Sequence, residues 1–143
     1  LERAKALGAV ATINYKKNPD WEKEVMAITG GTGARHILDV GGKDTLPHAL
    51  ASLASGGNVA LIGGLGGFGG EVPALALMGH NASAFGIYVG SRESFEAMND
   101  FIEKHKLTPV IDRTFDFADA KAAIDHMRSG DFVGKIVIRI GGT

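Results

Sequence analysis

The sequence predicts an α/β fold, a doubly wound parallel sheet with flanking helices. Three observations predict it. Short apolar runs alternate with helical patterns along the chain, as strands joined by helical crossovers do. The three middle runs, "HILDV", "NVALIG" and "SAFGIYV", are nearly continuous in apolar residues, as in strands covered on both faces. Glycine makes up 21 of 143 residues, about twice the usual ~7%, so many backbone positions need tight turns or close approach.

The elements follow in order. "LERAKALGA" is helical at once and stops at Gly8, which suits a C′ position. "ATINY" (11–15) reads as a strand. "NPDWEKEVMAITGG" opens with Asn18 as cap and Pro19 at the first helical position, and it ends in glycines. "HILDV" (36–40) is the next strand. "DTLPHALASLASGG" sets Leu46, Ala49, Leu50 and Leu53 on one helical face, with Asp44 capping and Gly56–Gly57 closing. Pro47 falls in its first turn, where a missing N–H costs little. The strands "NVALIG" (58–63) and "SAFGIYV" (83–89) follow. "SRESFEAMNDFIEKH" is a helix capped by Ser91, with Phe95, Met98 and Ile102 on one face. "TPVIDRTF" (108–115) is extended. "FADAKAAIDHMRSG" repeats the helical pattern at Ala120, Ile124 and Met127 and stops at Gly130, before a last strand "KIVIRI" (135–140).

Composition narrows the function. A length of 143 residues suits one domain, and 45% apolar with 22% charged residues is ordinary for a globular protein. The net charge is −1, with both signs mixed along the chain, so no nucleic-acid or membrane-surface partner is expected. No apolar run approaches the ~20 residues of a membrane span. There is no cysteine, which excludes thiolate metal sites and makes a cytoplasmic compartment the expectation. The five histidines (36, 48, 80, 105, 126) share no metal-ligand spacing, so no metal residue is expected.

Residues 64–69, "GLGGFG", fit the dinucleotide pattern G-x-G-x-x-G. A working fingerprint must open a helix whose N–H groups hold the pyrophosphate. Here Glu71-Val72-Pro73 follows, and a residue before proline is biased to extended backbone, so no helix is expected. Glu93 lies near the spacing of a ribose-binding acid, but in a predicted helix after the next strand. The expectation is a flexible glycine loop after a strand, still able to touch a ligand. "ILDVGG" (37–42) looks like the first motif of S-adenosylmethionine-dependent methyltransferases, although Lys43-Asp44-Thr45 stands where that motif has a further glycine.

Taken in order, "LERAKALGAVATINYKK", "TGGTGARHILDVGGKDTLPHALASLASGGNVALIGG", "GIYVGSRESFEAMNDFIEKHKLTPVIDRTF" and "SGDFVGKIVIRI" resemble the C-terminal portion of a medium-chain dehydrogenase/reductase. That superfamily includes zinc-dependent alcohol dehydrogenases and zinc-free quinone oxidoreductases. The resemblance implies a partial Rossmann-like sheet whose first βαβ part, with the true fingerprint, precedes Leu1. Residues 1–90 are then the C-terminal part of a dinucleotide-binding domain, and 91–143 a return segment belonging to the catalytic domain.

The resemblance also implies which residues face the cofactor, NADP or NAD. Val40 and Gly41 lie near the adenosine side, Ile62, Gly63 and Gly64 further along, and Ile87, Tyr88 and Val89 near the nicotinamide. Simple core packing is the alternative for the apolar ones. Tyr15 resembles a tyrosine that touches a ribose 2′-phosphate, against a half-buried strand-end tyrosine. Lys135 is a candidate to neutralise cofactor phosphate, against a solvated lysine. The family's zinc ligands, cysteine included, lie upstream of the matching segment, so zinc stays open for the whole enzyme and no catalytic residue is expected here. The implied substrate is a small alcohol, carbonyl compound or quinone, the implied assembly a homo-oligomer, and the chain alone is expected to be inactive. The rivals are a non-catalytic dimerisation or binding module, built on the edge near "SAFGIYV", and the methyltransferase. In the family's strand order, 3-2-1-4-5-6, this segment leaves "HILDV" with an exposed edge. Either "ATINY" pairs beside it, joined by the 18–29 helix, or a second chain covers it.

Overall fold

The computed structural model describes residues 1–69 and 72–141, which form two compact units, Leu1–Val89 and Gly90–Thr143. In the first unit, helices α1 (Glu2–Ala6) and α2 (Trp21–Ile28) precede strand β1 (Ala34–Asp39). Helix α3 (Leu46–Ala51), β2 (Leu53–Leu61), α4 (Ala74–His80) and β3 (Ser83–Gly86) follow. The strands are parallel in the order β1-β2-β3, and the register brings Asp39, Leu61 and Gly86 side by side at their carboxyl ends.

Leu46 and Leu50 of α3 bury against Leu53 and Val59 of β2, and Ile37, Ala84, Ala76 and Leu77 pack around them. Side chains alternate across a strand, so this cluster uses one face of the sheet. The opposite face carries Leu38, Ala60 and Phe85 in register. Leu38 is 71% exposed there. The double cover expected from the apolar runs is therefore not present within this unit, because α3 and α4 both pack against the same cluster.

Several elements depart from the sequence reading. "ATINY" forms no strand, and it does not pair beside β1. The Asn14 side-chain oxygen accepts N–H bonds from Lys16 and Lys17 at 3.0 and 3.2 Å. It closes a turn where a ladder would have run. That turn continues to Asn18, whose N–H donates to the Asn14 carbonyl. Helix α2 consequently starts at Trp21 with Asp20 at the N-cap, not at Pro19. Helix α3 has Thr45, not Asp44, at its N-cap and ends six residues before Gly57, while Leu53 already belongs to β2. Leu53 still buries in the α3 cluster, which is why apolar periodicity assigned it to the helix. Gly56 and Gly57 lie inside β2, where its register with β1 slips between Ala34 and His36. Helix α4 was not foreseen. Pro73 is extended at its N-cap, and the left-handed Asn81 ends it.

The second unit holds α5 (Arg92–Lys104), β4 (Ile111–Asp116), a short 3-10 turn (Phe117–Asp119), α6 (Ala120–Ser129) and β5 (Lys135–Arg139), with β4 and β5 parallel. The Ser91 hydroxyl accepts the Ser94 N–H at 3.1 Å and so caps α5, and Gly130 ends α6 with φ +70°. Both ends follow the sequence reading. Phe95 and Met98, which share one face of α5, are exposed.

Candidate functional site

Ligand crevices in parallel α/β sheets open at the carboxyl ends of the strands. Here the β1–β2 ladder runs on past its last paired residues. Ile62 N–H donates to the Asp39 carbonyl at 2.9 Å, Leu65 N–H to Val40 at 3.2 Å, Gly66 N–H to Gly41 at 2.7 Å, and Lys43 N–H to Gly67 at 3.2 Å. The loop after β2, expected to be flexible, is stitched to the loop after β1. Gly42 shows why glycine is needed. Its φ is +87°, and a Cβ there would lie 2.5 Å from the Gly67 carbonyl oxygen and 2.8 Å from the Gly64 Cα. Only a residue without a side chain allows two backbones to meet this closely. The G-x-G-x-x-G run therefore serves as a loop-to-loop clasp. The next helix, α4, begins only at Ala74, after Pro73, and not at the last glycine. Of the surrounding stretch, Gly70 and Glu71 lie outside the described residues.

Two cavities open beside the clasp. One, of ≈590 Å³, is lined by Tyr15, Trp21, Leu38, Val40, Gly41, Asp44 and Leu65, among others. The other, of ≈400 Å³, is lined by Leu61, Ile62, Gly63, Phe68, Gly86, Ile87 and Tyr88. The structure thus gathers Tyr15, Val40 and Gly41 at one cavity, and Ile62, Gly63, Ile87 and Tyr88 at the other. Gly64 sits between them under the Phe68 ring. Val89 lines neither cavity and is 79% exposed. Lys135 is the first residue of β5, in the second unit.

Sequence reasoning missed Trp21 and Asp44 as site residues, and it met Asp39, Leu65 and Phe68 only as members of "ILDVGG" and of the glycine loop. The signal for Trp21 was its being the single tryptophan. It stands at the start of α2, and its ring centre lies 5.6 Å from that of His48 on α3. His48 Nδ1 is 2.7 Å from the Glu22 carboxylate, a second tie between the two helices. Asp39 is 5% exposed and binds within its own turn. Thr45 O–H donates to its Oδ1 at 2.5 Å and Gly42 N–H to its Oδ2 at 3.1 Å. The acid in "ILDVGG" is thus engaged in building the turn.

Among the described residues no three His, Cys, Asp or Glu side chains come together as metal ligands. The best-buried His–carboxylate pair, His126 and Asp112, is bonded to itself at 2.9 Å. A zinc ion does not fit this donor set. A dinucleotide fits better, since the crevice offers aromatic and apolar walls on both sides of a backbone clasp.

Parallel strands with flanking helices and a crevice across their carboxyl ends define a Rossmann-like α/β domain. A family model for zinc-binding dehydrogenases matches residues 7–138. The chain belongs to that family. Over 98% of its length it is 39% identical to a zinc-type alcohol dehydrogenase-like protein of Schizosaccharomyces pombe, of which it covers 42%. A solved NAD-dependent alcohol dehydrogenase matches 99% of this chain with a TM-score of 0.83 and 33% identity, the match covering 41% of that structure's chain. A mycobacterial quinone oxidoreductase matches 95% of this chain with a TM-score of 0.76 and 26% identity, over 44% of its own chain. The chain spans about two fifths of the length of the curated relatives it matches. These matches leave the methyltransferase reading without support. No helix among the described residues is long and apolar enough to cross a membrane.

Proposed function

We propose that this chain supplies the cofactor crevice of an NAD(P)-dependent oxidoreductase of the alcohol dehydrogenase or quinone oxidoreductase type. The observation that carries the reading is the pair of cavities flanking the glycine clasp. The cavity beside Tyr15, Val40 and Gly41 takes the adenosine half of the dinucleotide. The one beside Ile62, Gly63, Ile87 and Tyr88 takes the nicotinamide half, with Gly64 between. Residues 1–90 then form the later part of the cofactor domain, and 91–143 return to the catalytic domain. When bound, the nicotinamide exchanges a hydride with an alcohol, a carbonyl compound or a quinone. The chain's own part is to bind and orient. Tyr15 and Trp21 offer flat faces, the apolar ends of β1 to β3 exclude water, and Gly64, by lacking a side chain, seats the Phe68 ring that lines the second cavity. On this reading the chain alone binds without turning over, the rest of the catalytic machinery lying in the part of the relatives that it does not cover.

Trp21, as the single tryptophan of the chain, gives a direct test. Titration with NADH and NADPH is expected to give saturable energy transfer from Trp21 to the reduced nicotinamide. Absence of saturable transfer with either cofactor would overturn the reading, and sustained NAD(P)H turnover would overturn the claim of inactivity.

A dimerisation role is the second reading. One observation favours it. The outer edge of β3 has no strand partner among the described residues, and Tyr88 just beyond it is 96% exposed. Sedimentation of the chain as a monomer at micromolar concentration would remove it.

A further inference from the structure

We propose that Asp39 is the positioning residue of the crevice. Its carboxylate fixes the turn after β1 and, through that turn, the glycine loop that separates the two cavities. A buried carboxylate is costly unless its oxygens are bonded. Asp39 is the one acidic side chain that is buried among the described residues. Both of its oxygens are engaged, one by the Thr45 hydroxyl at 2.5 Å and the other by Gly42 N–H at 3.1 Å. These partners bracket the turn. Inside it, Lys43 N–H holds the Gly67 carbonyl, and Gly42 lies against Gly64 and Gly67. The main chain of Asp39 completes the link, because its carbonyl accepts the N–H groups of Ile62 and Gly63 at 2.9 and 3.3 Å. A single residue thus grips the first loop with its side chain and the second with its backbone. An amide in place of the carboxylate removes the charge from both bonds, and it keeps them only if its nitrogen faces the Thr45 hydroxyl and that hydroxyl turns from donor to acceptor, so the turn is held more weakly.

The consequence for cofactor affinity rests on the dinucleotide reading, whereas the consequence for the loops does not. The experiment therefore has two readouts on the full chain, amide hydrogen exchange and Trp21 energy transfer to NADPH, for D39N, T45V and T45S. In D39N the amides of Gly42, Lys43, Leu65 and Gly66 exchange about tenfold faster, because both bonds lose the carboxylate's charge. The amides of the β1–β2 ladder keep their rates, and NADPH affinity falls about five- to tenfold. T45V reproduces part of the loop effect, and T45S restores it. Uniform acceleration over the whole unit, or unchanged loop amides in both D39N and T45V, overturns the proposal. If D39N does not fold, T45V against T45S decides by the same criterion. If the unsubstituted chain takes no NADPH, the dinucleotide reading fails and the exchange rates alone judge Asp39.

Discussion

The two units use the same parts, parallel strands and helices, but hold them together differently. The first closes three strands under α3 and α4 and buries Leu46, Leu50, Leu53 and Val59. The second pairs only β4 with β5, and among its described residues Ala123 is the one buried apolar side chain. A polar tie takes the place of a core there. His126 on α6 meets Asp112 on β4, with side chains 14% and 10% exposed, and the other Asp112 oxygen accepts Val133 N–H at 3.1 Å. The difference teaches that apolar burial depends on the number of covering layers. A two-stranded sheet with one helix has too little interior to be stabilised by burial alone.

Leu50→Ala gives the largest effect and is the sharpest way to break this comparison. Leu50 is 1% exposed, and emptying such a site costs about 2–5 kcal/mol. Urea unfolding should show that loss for Leu50→Ala and less than about 0.5 kcal/mol for Phe95→Ala in the second unit, where the residue is 58% exposed. Equal losses would mean that α5 is buried as deeply as α3, and the contrast would be gone.

His126→Ala tests the polar tie next. Removing it leaves a nearly buried carboxylate with one partner fewer, at about 1–3 kcal/mol. The Phe115 and Phe132 rings, 6.0 and 6.2 Å from the imidazole, keep it in place. The Val133 amide should lose exchange protection, whereas the amides of β2 should not change. His126→Gln, which can still donate to Asp112, should recover part of the loss. If it recovers nothing, ring packing and not the hydrogen bond holds the unit.

Ser91→Ala is smaller, about 1 kcal/mol, because one N-cap bond to Ser94 is lost. Circular dichroism should show fraying at the start of α5. This helix also shows what the sequence made legible. Where local chemistry decides, as at Ser91 and Gly130, the ends were readable. Where a distant partner decides, they were not. Asn14 turned a strand-like run into a turn, and Leu53 serves the same core from a strand as it would from a helix. "ALALMGH" in α4 has no polar stripe to show a period. The candidate site divides in the same way. Tyr15, Val40, Gly41, Ile62, Gly63, Ile87 and Tyr88 could be named in advance and do gather at two cavities. The reason for the glycines could not, because Gly42 needs to be glycine only where Gly64 and Gly67 fold back on it.

Asp20 and Lys23 set the lower limit of the comparison. Their side chains meet at 2.6 Å at the start of α2, but they are 59% and 74% exposed. The hydrogen bond from Lys23, and then its charge, hold the Asp20 carboxyl below its ordinary range, and the same bond raises the Lys23 ammonium. The signs define a window. A lowered carboxyl adds stability that is present above the ordinary carboxylate value of ~3.9 and lost as pH falls through the folded value. A raised ammonium adds stability that is present below the ordinary lysine value of ~10.4 and lost as pH rises through the folded one. Both contributions are therefore present at neutral pH, where an exposed pair is screened by water and salt. Asp20→Asn should leave the urea midpoint at pH 7 almost unchanged, and any difference from the unsubstituted chain should vanish at pH 2 or in molar salt. The carboxyl itself should report the pair more clearly. Its NMR titration midpoint should rise to the ordinary value in Lys23→Met. A loss in Asp20→Asn larger than that in Ser91→Ala would mean that the first unit leans on surface charge as well as on Leu50 and Val59, and the contrast with the second unit would narrow.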